Sequence, residues 1–184
     1  MSINEIRNNS NDSNIGITLN LSPSTPASKS QYDKEACKFY DGQFNRLYLD
    51  PLYKAQYPKD LFDSLIKKKY IKKEDLNFIK TEDLKVISKK TDFLGINFYS
   101  RAIIRDNDIP KEKNLPIEVF LEEKTDFGWE IHPRSLYDLL VRIKNDYPVE
   151  KIYITENGCA YNDAPNQENI CLLYTSDAAD EHGC

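Results

Sequence analysis

Tyr153-Ile154-Thr155-Glu156-Asn157-Gly158 reads as a β-strand that runs into a tight turn with a carboxylate at the junction. Tyr, Ile and Thr favour a pleated, half-buried segment, and Asn-Gly tolerates the backbone angles that a tight turn requires. Glu156 is therefore expected at the C-terminal tip of a strand, pointing into a rim of loops. An acid before Asn-Gly is, by itself, most simply a solvated loop residue, so its meaning depends on the sequence around it.

Upstream of this strand, Pro133 opens a helix in which Leu136, Leu139, Leu140, Ile143 and Tyr147 follow at i, i+3, i+4, i+7 and i+11. That stripe is a core face. The helix is preceded by Thr125-Asp126-Phe127-Gly128-Trp129-Glu130-Ile131-His132-Pro133. Two further β-rich runs lie nearer the start: Gly16-Ile17-Thr18-Leu19-Asn20-Leu21-Ser22-Pro23 and Asp92-Phe93-Leu94-Gly95-Ile96-Asn97-Phe98-Tyr99-Ser100. Between them, Asp33 to Asp50 reads as a helix that Pro51 limits, with Ala36, Phe39, Tyr40, Phe44 and Leu47 as its core-facing positions. Pro58 with Leu61, Phe62, Leu65 and Ile66 marks another helix, and Leu76 to Ile87 is expected to hold one more. Arg101 to Thr125 has no sustained period and is expected to be a long loop at one rim.

These four blocks, in this order, closely resemble glycoside hydrolase family 1, the β-glucosidase family. The resemblance implies an α/β fold, a (β/α)8 TIM barrel, of which the strands near Ile17, Phe93 and Ile152 look like the fifth, sixth and seventh. Such barrels need roughly 200 to over 400 residues, and this chain has 184. A partial barrel over residues 15–170, roughly strands five to seven with their helices, is therefore expected. Residues 1–14 are expected to be a truncated connector. Residues 171–184 leave the family pattern and resemble translated adapter read-through, so they are expected to be non-biological.

A retaining glycosidase places two carboxyl groups about 5 to 5.5 Å apart, one attacking the anomeric carbon and one protonating the departing oxygen. The resemblance makes Glu156 the nucleophile, Tyr99 the donor that orients it, and Asn97 a residue lining the same pocket. Read without it, Tyr99 is a rim aromatic and Asn97 a strand-end cap. Trp129 is expected to pack as a structural anchor, Glu130 to hold its loop, and His132 to be a loop histidine outside the chemistry. The family's acid/base belongs to an Asn-Glu-Pro motif, which this sequence lacks; Asn4-Glu5 is followed by Ile6. The chain alone is thus expected to be inactive. Its substrate would be a small β-glucoside or oligosaccharide such as cellobiose, with 6-phospho-β-glucosides, and less directly thioglucosides, as rivals. A non-catalytic carbohydrate-binding or interaction protein derived from the same fold is the alternative from another class.

Thirty acidic and twenty-five basic residues give a formal charge of −5, with the bases scattered apart from Lys67 to Lys69 and Lys72-Lys73, and no stripe suited to nucleic acid emerges. Cys37, Cys159, Cys171 and Cys184 show neither metal-type spacing nor a paired framework, which fits a reducing cytoplasm. No apolar run is long enough to span a membrane. The implied chemistry runs on carboxylates and calls for no metal or cofactor.

Overall fold

The computed structural model describes residues 2–10, 12–108, 113, 115–119 and 123–161. Its elements run α1 (Ser2–Asn9), β1 (Gly16–Asn20), β2 (Ser24–Pro26), α2 (Gln31–Asp41), a π turn (Gly42–Arg46), α3 (Leu47–Lys54), α4 (Lys59–Lys67), a 3-10 turn (Lys73–Phe78), α5 (Thr81–Ile87), β3 (Phe93–Asn97), β4 (Ala102–Ile104), α6 (Pro133–Asp146) and β5 (Ile152–Glu156). The segment 171–184 lies outside the described residues. Among the described residues no helix is long and apolar enough to cross a membrane.

β1, β3 and β5 form a parallel sheet with β3 in the middle. Parallel strands are joined by crossover helices and so present two faces that both need cover. On one face, Ile17, Leu19, Leu21, Leu94, Ile96, Phe98 and Ile152 pack with Leu49 and Tyr53 of α3 and with Leu139, Ile143 and Tyr147 from α6 and its end. On the other, the Phe93 and Tyr153 rings meet edge-on at 5.2 Å. The next row on that face is Thr18, Gly95 and Thr155. A Cβ at Gly95 would collide with the Thr18 hydroxyl and lie 3.0 Å from Thr155 Cγ2, so glycine is what lets the three strands close up there.

The stripe expected from α6 is the one that packs. His132 precedes the helix, Pro133 is its first residue, and Leu139 and Ile143 are buried. Proline suits that position because the first turn has no intrahelical use for its missing N–H. Tyr147, just past the helix, donates its hydroxyl to Asp50 at 2.7 Å and lies under the Lys54 ammonium. Burial, reinforced by Asp50, pushes the Tyr147 phenol well above its ordinary range.

The helical stretch after β2 departs from expectation in two ways. It does not stop at Pro51: α3 continues through it to Lys54, where Ala55 ends the run in the left-handed region at φ 52°. Leu49, Asp50 and Pro51 are all buried, and this packing overrides the missing backbone donor. Nor is the apolar stripe Ala36, Phe39, Tyr40, Phe44 and Leu47 the buried face: four of these are half-buried and Phe44 is exposed. The buried positions from 33 to 50 are Asp33, Cys37, Asp41, Gly42, Asn45, Leu49 and Asp50, while Phe44 stacks on Tyr40 at 4.2 Å.

That inward face is polar because every carboxylate on it is satisfied. Asp33 accepts from the Ser28 hydroxyl at 2.5 Å and from the Asp106 backbone N–H at 2.9 Å. Asp41 accepts the Arg142 fork at 2.5 and 2.9 Å, Arg46 Nε at 2.8 Å and the Asn45 amide at 2.8 Å. Arg46 also holds Asp60 at 2.7 and 2.9 Å, so α2, α4 and α6 are tied together through charges.

This network predicts an acid limb of stability. Burial alone would raise the Asp41 carboxyl, but hydrogen bonds from Arg142, Asn45 and Arg46 outweigh it and hold the group below its ordinary range. Asp60 is held lower still, chiefly by Arg46. Carboxyls with depressed folded pKa values stabilise above the unfolded value of about 3.9, and that contribution is lost as pH falls through the folded values. Thermal melts are expected to be level from about pH 7 to pH 5 and to fall steeply below about pH 4. Asp41→Asn should flatten this limb while lowering the neutral-pH Tm; an unchanged acid slope would place the sensitivity elsewhere.

The segment 101–125, expected to be loop throughout, contains β4, which pairs in parallel with β2 from Ser24 opposite Ala102 to Pro26 opposite Ile104. Backbone bonds from Leu21 N–H to Asn97, Ala102 N–H to Pro23 and Ala27 N–H to Ile104 carry β1 and β3 on past their tips. Three-residue strands are too short to announce themselves by alternation.

Candidate active site

β3 and β5 pair in simple register from Leu94 opposite Ile152 to Ile96 opposite Ile154, after which Asn97 faces Glu156. Thr155 is the extra residue, a bulge. A bulge bends its strand and re-aims the side chains that follow. Here it sets Thr155 and Glu156 beside Asn97: the Thr155 hydroxyl donates to Asn97 Oδ1 at 2.6 Å, and the Phe98 N–H donates to the Glu156 carbonyl at 2.9 Å.

Two residues beyond Asn97, the Tyr99 hydroxyl donates to Glu156 Oε2 in a short hydrogen bond. The half-buried carboxylate is thus gripped by a donor from the neighbouring strand. The turn after it is fastened as well, since the Asn157 amide donates to the Phe98 carbonyl at 2.8 Å. Of the three site residues read from the sequence, Glu156 and Tyr99 are in direct contact. Asn97 lies beside them, engaged with Thr155.

Residues 123–131 fold over these tips. The Thr125 N–H donates to the Trp129 carbonyl at 2.8 Å and the Ile131 N–H to the Glu123 carbonyl at 2.8 Å, making a small hairpin. Gly128 occupies its turn at φ +78°, where a side chain would be strained. Glu130 is buried against Arg101, which reaches it with Nε at 2.6 Å and Nη2 at 2.8 Å. Trp129, expected to pack as a structural anchor, packs against Tyr99 while remaining partly open to solvent. The residue is 41% exposed; its ring leans on Tyr99 with centroids 5.2 Å apart, and Phe127 meets it edge-on at 5.8 Å. His132 Nδ1 shares a hydrogen bond with the Ser135 hydroxyl at 2.6 Å, a contact at the start of α6 away from Glu156.

A cavity of about 240 Å³ opens between Tyr99, Glu130, His132, Asn157 and Cys159. A larger cleft of about 500 Å³ lies between α2, α4 and the end of β4, against Phe39, Lys67, Ile104 and Arg105, and no residue of β1, β3 or β5 lines it. Among the described residues no group of three His, Cys, Asp or Glu side chains could hold a metal ion. The bulge at Thr155, the Arg101–Glu130 pair and the contact of Trp129 with Tyr99 have no signal in local sequence pattern, because each depends on residues brought together from different elements.

A parallel α/β sheet that gathers a carboxylate and its hydrogen-bond donor at the C-terminal ends of adjacent strands is the layout of the barrel enzymes. The model of the family described as Glycosyl hydrolase family 1 matches residues 1–174. The chain belongs to that family, as its four sequence blocks suggest. It is 42% identical over 154 residues to beta-glucosidase A of Acetivibrio thermocellus, covering 83% of this chain and 33% of that protein. A 6-phospho-beta-glucosidase of Bacillus subtilis is 35% identical over 158 residues, covering 80% of this chain and 33% of that one. The crystal structure of a beta-glucosidase from Exiguobacterium marinum superposes with a TM-score of 0.77 at 36% identity, covering 90% of this chain and 37% of that one. The chain spans about a third of the length of the relatives it matches.

Proposed function

We propose that this chain carries the nucleophile side of a retaining β-glucosidase. Residues 15–170 form part of the catalytic barrel, with β1, β3 and β5 as its fifth, sixth and seventh strands, residues 1–14 as connector and residues 171–184 outside it. The observation that carries the reading is the Tyr99 hydroxyl donating to Glu156 across the tips of two neighbouring strands. Glu156 attacks the anomeric carbon of a terminal β-glucoside and the glycosidic C–O bond breaks. A second carboxyl group protonates the departing oxygen, and water then hydrolyses the glycosyl ester with net retention. Tyr99 orients the attacking oxygen, and Asn97 lines the pocket beside it. The sequence has no Asn-Glu-Pro, so this chain supplies no proton donor of that kind and turns nothing over by itself. Free Cys37 and Cys159 suit a reducing cytoplasm.

The test is to replace the aligned segment of the Acetivibrio thermocellus beta-glucosidase A with residues 15–158 of this chain. The hybrid is expected to hydrolyse 4-nitrophenyl β-glucoside in preference to its 6-phosphate and to release β-glucose first, as read by proton NMR. The purified 184-residue chain is expected to release no nitrophenol. Preference for the phosphorylated substrate would transfer the reading to the 6-phospho-β-glucosidase branch, and turnover by the chain alone would contradict the missing proton donor.

A further inference from the structure

The hairpin at 123–131 is attached to both of the strands that build the site. On the β3 side, Arg101, two residues beyond Tyr99, holds Glu130 with a two-pronged contact at 2.6 and 2.8 Å. On the β5 side, the Asp126 N–H donates to the carbonyl of Ala160, four residues beyond Glu156, at 2.9 Å. Between these attachments Trp129 lies against the Tyr99 ring. The side chains of Arg101 and Glu130 are only 9% and 1% exposed. Taking two charges out of water offers little stability over an apolar pair of similar shape, whereas the planar guanidinium fork fixes direction as well as distance.

We infer that the Arg101–Glu130 pair is a positioning device for Glu156, clamping the hairpin to the β3 tip so that Trp129 holds the Tyr99 ring where its hydroxyl meets the carboxylate. The inference rests on the reading of Glu156 given above. The path is continuous: Arg101 fixes Glu130, the adjacent Trp129 bears on Tyr99, and Tyr99 donates to Glu156. Among the described residues Arg101 and Glu130 hold each other rather than Glu156, and their influence passes through the phenol.

The test uses the 184-residue chain with its tyrosines labelled at ¹³Cζ, a nucleus sensitive to hydrogen bonding by the phenol. The Tyr99 signal is assigned by its loss in Tyr99→Phe. Glu156→Gln is expected to shift that signal in the parent chain. In Arg101→Lys, which keeps the charge but loses the fork, Glu156→Gln is expected to shift it no longer. If that variant fails to fold, Arg101→Gln with Glu130→Gln removes both buried charges together and is read in the same way. A full response to Glu156→Gln in a folded clamp variant would overturn the positioning role and leave the Tyr99–Glu156 contact standing. No response in the parent chain would overturn both.

Discussion

Glu156→Gln, placed in the hybrid barrel, is expected to lower kcat by at least about a thousandfold, on the scale seen when a nucleophile is removed from a catalytic unit. Glutamine keeps the volume of the side chain and an oxygen that still accepts from Tyr99, so the strand tips should hold their arrangement and KM should change little. On the proposed reading, what is lost is the ability to form a glycosyl ester. Glu156→Gly with added azide separates this role from a structural one. The small anion can enter the vacated space and attack the anomeric carbon once, expelling the protonated leaving group and yielding an α-glucosyl azide. A Glu156→Gln hybrid within about tenfold of the parent, or azide without effect, would remove Glu156 from the chemistry.

The second large effect is on stability. Leu94 is fully buried in the middle strand, its side chain in the cluster shared with α3 and α6 and its N–H bonded to the Lys151 carbonyl at 3.0 Å. Leu94→Ala is expected to cost about 2 to 5 kcal/mol, since the flanking strands and helices leave little room for the site to collapse. A folded domain typically holds about 5 to 15 kcal/mol in all. Val86→Ala, at a position 44% exposed on α5, is the control and should stay within about 0.5 kcal/mol. Urea unfolding of both variants checks the difference; equal midpoints would mean that β3 is not the centre of the buried layer.

The parts of the fold legible in the sequence are those whose partners are apolar and interchangeable. Ile17, Leu94, Ile96 and Ile152 announce strands, and the α6 stripe announces a core face, because burial of hydrocarbon needs only the right period. The inward face of α2 cannot be read that way. Asp33, Asp41 and Asn45 look solvated until Ser28, Arg46 and Arg142 arrive from elsewhere to satisfy them. A wrong face is then chosen for Phe44, which the structure leaves outside. The contact of Tyr99 with Glu156 is suggested only by the family resemblance. Nothing in either local segment marks it, and the bulge that makes room for it changes no residue type that a pattern would register.

Trp129 is the one tryptophan in the chain, and its ring rests on Tyr99 beside Glu156. Excited near 295 nm, the protein therefore emits from a single place, at the rim of the carboxylate site. It carries a built-in optical probe whose colour and quenching follow that corner alone, without dye or label.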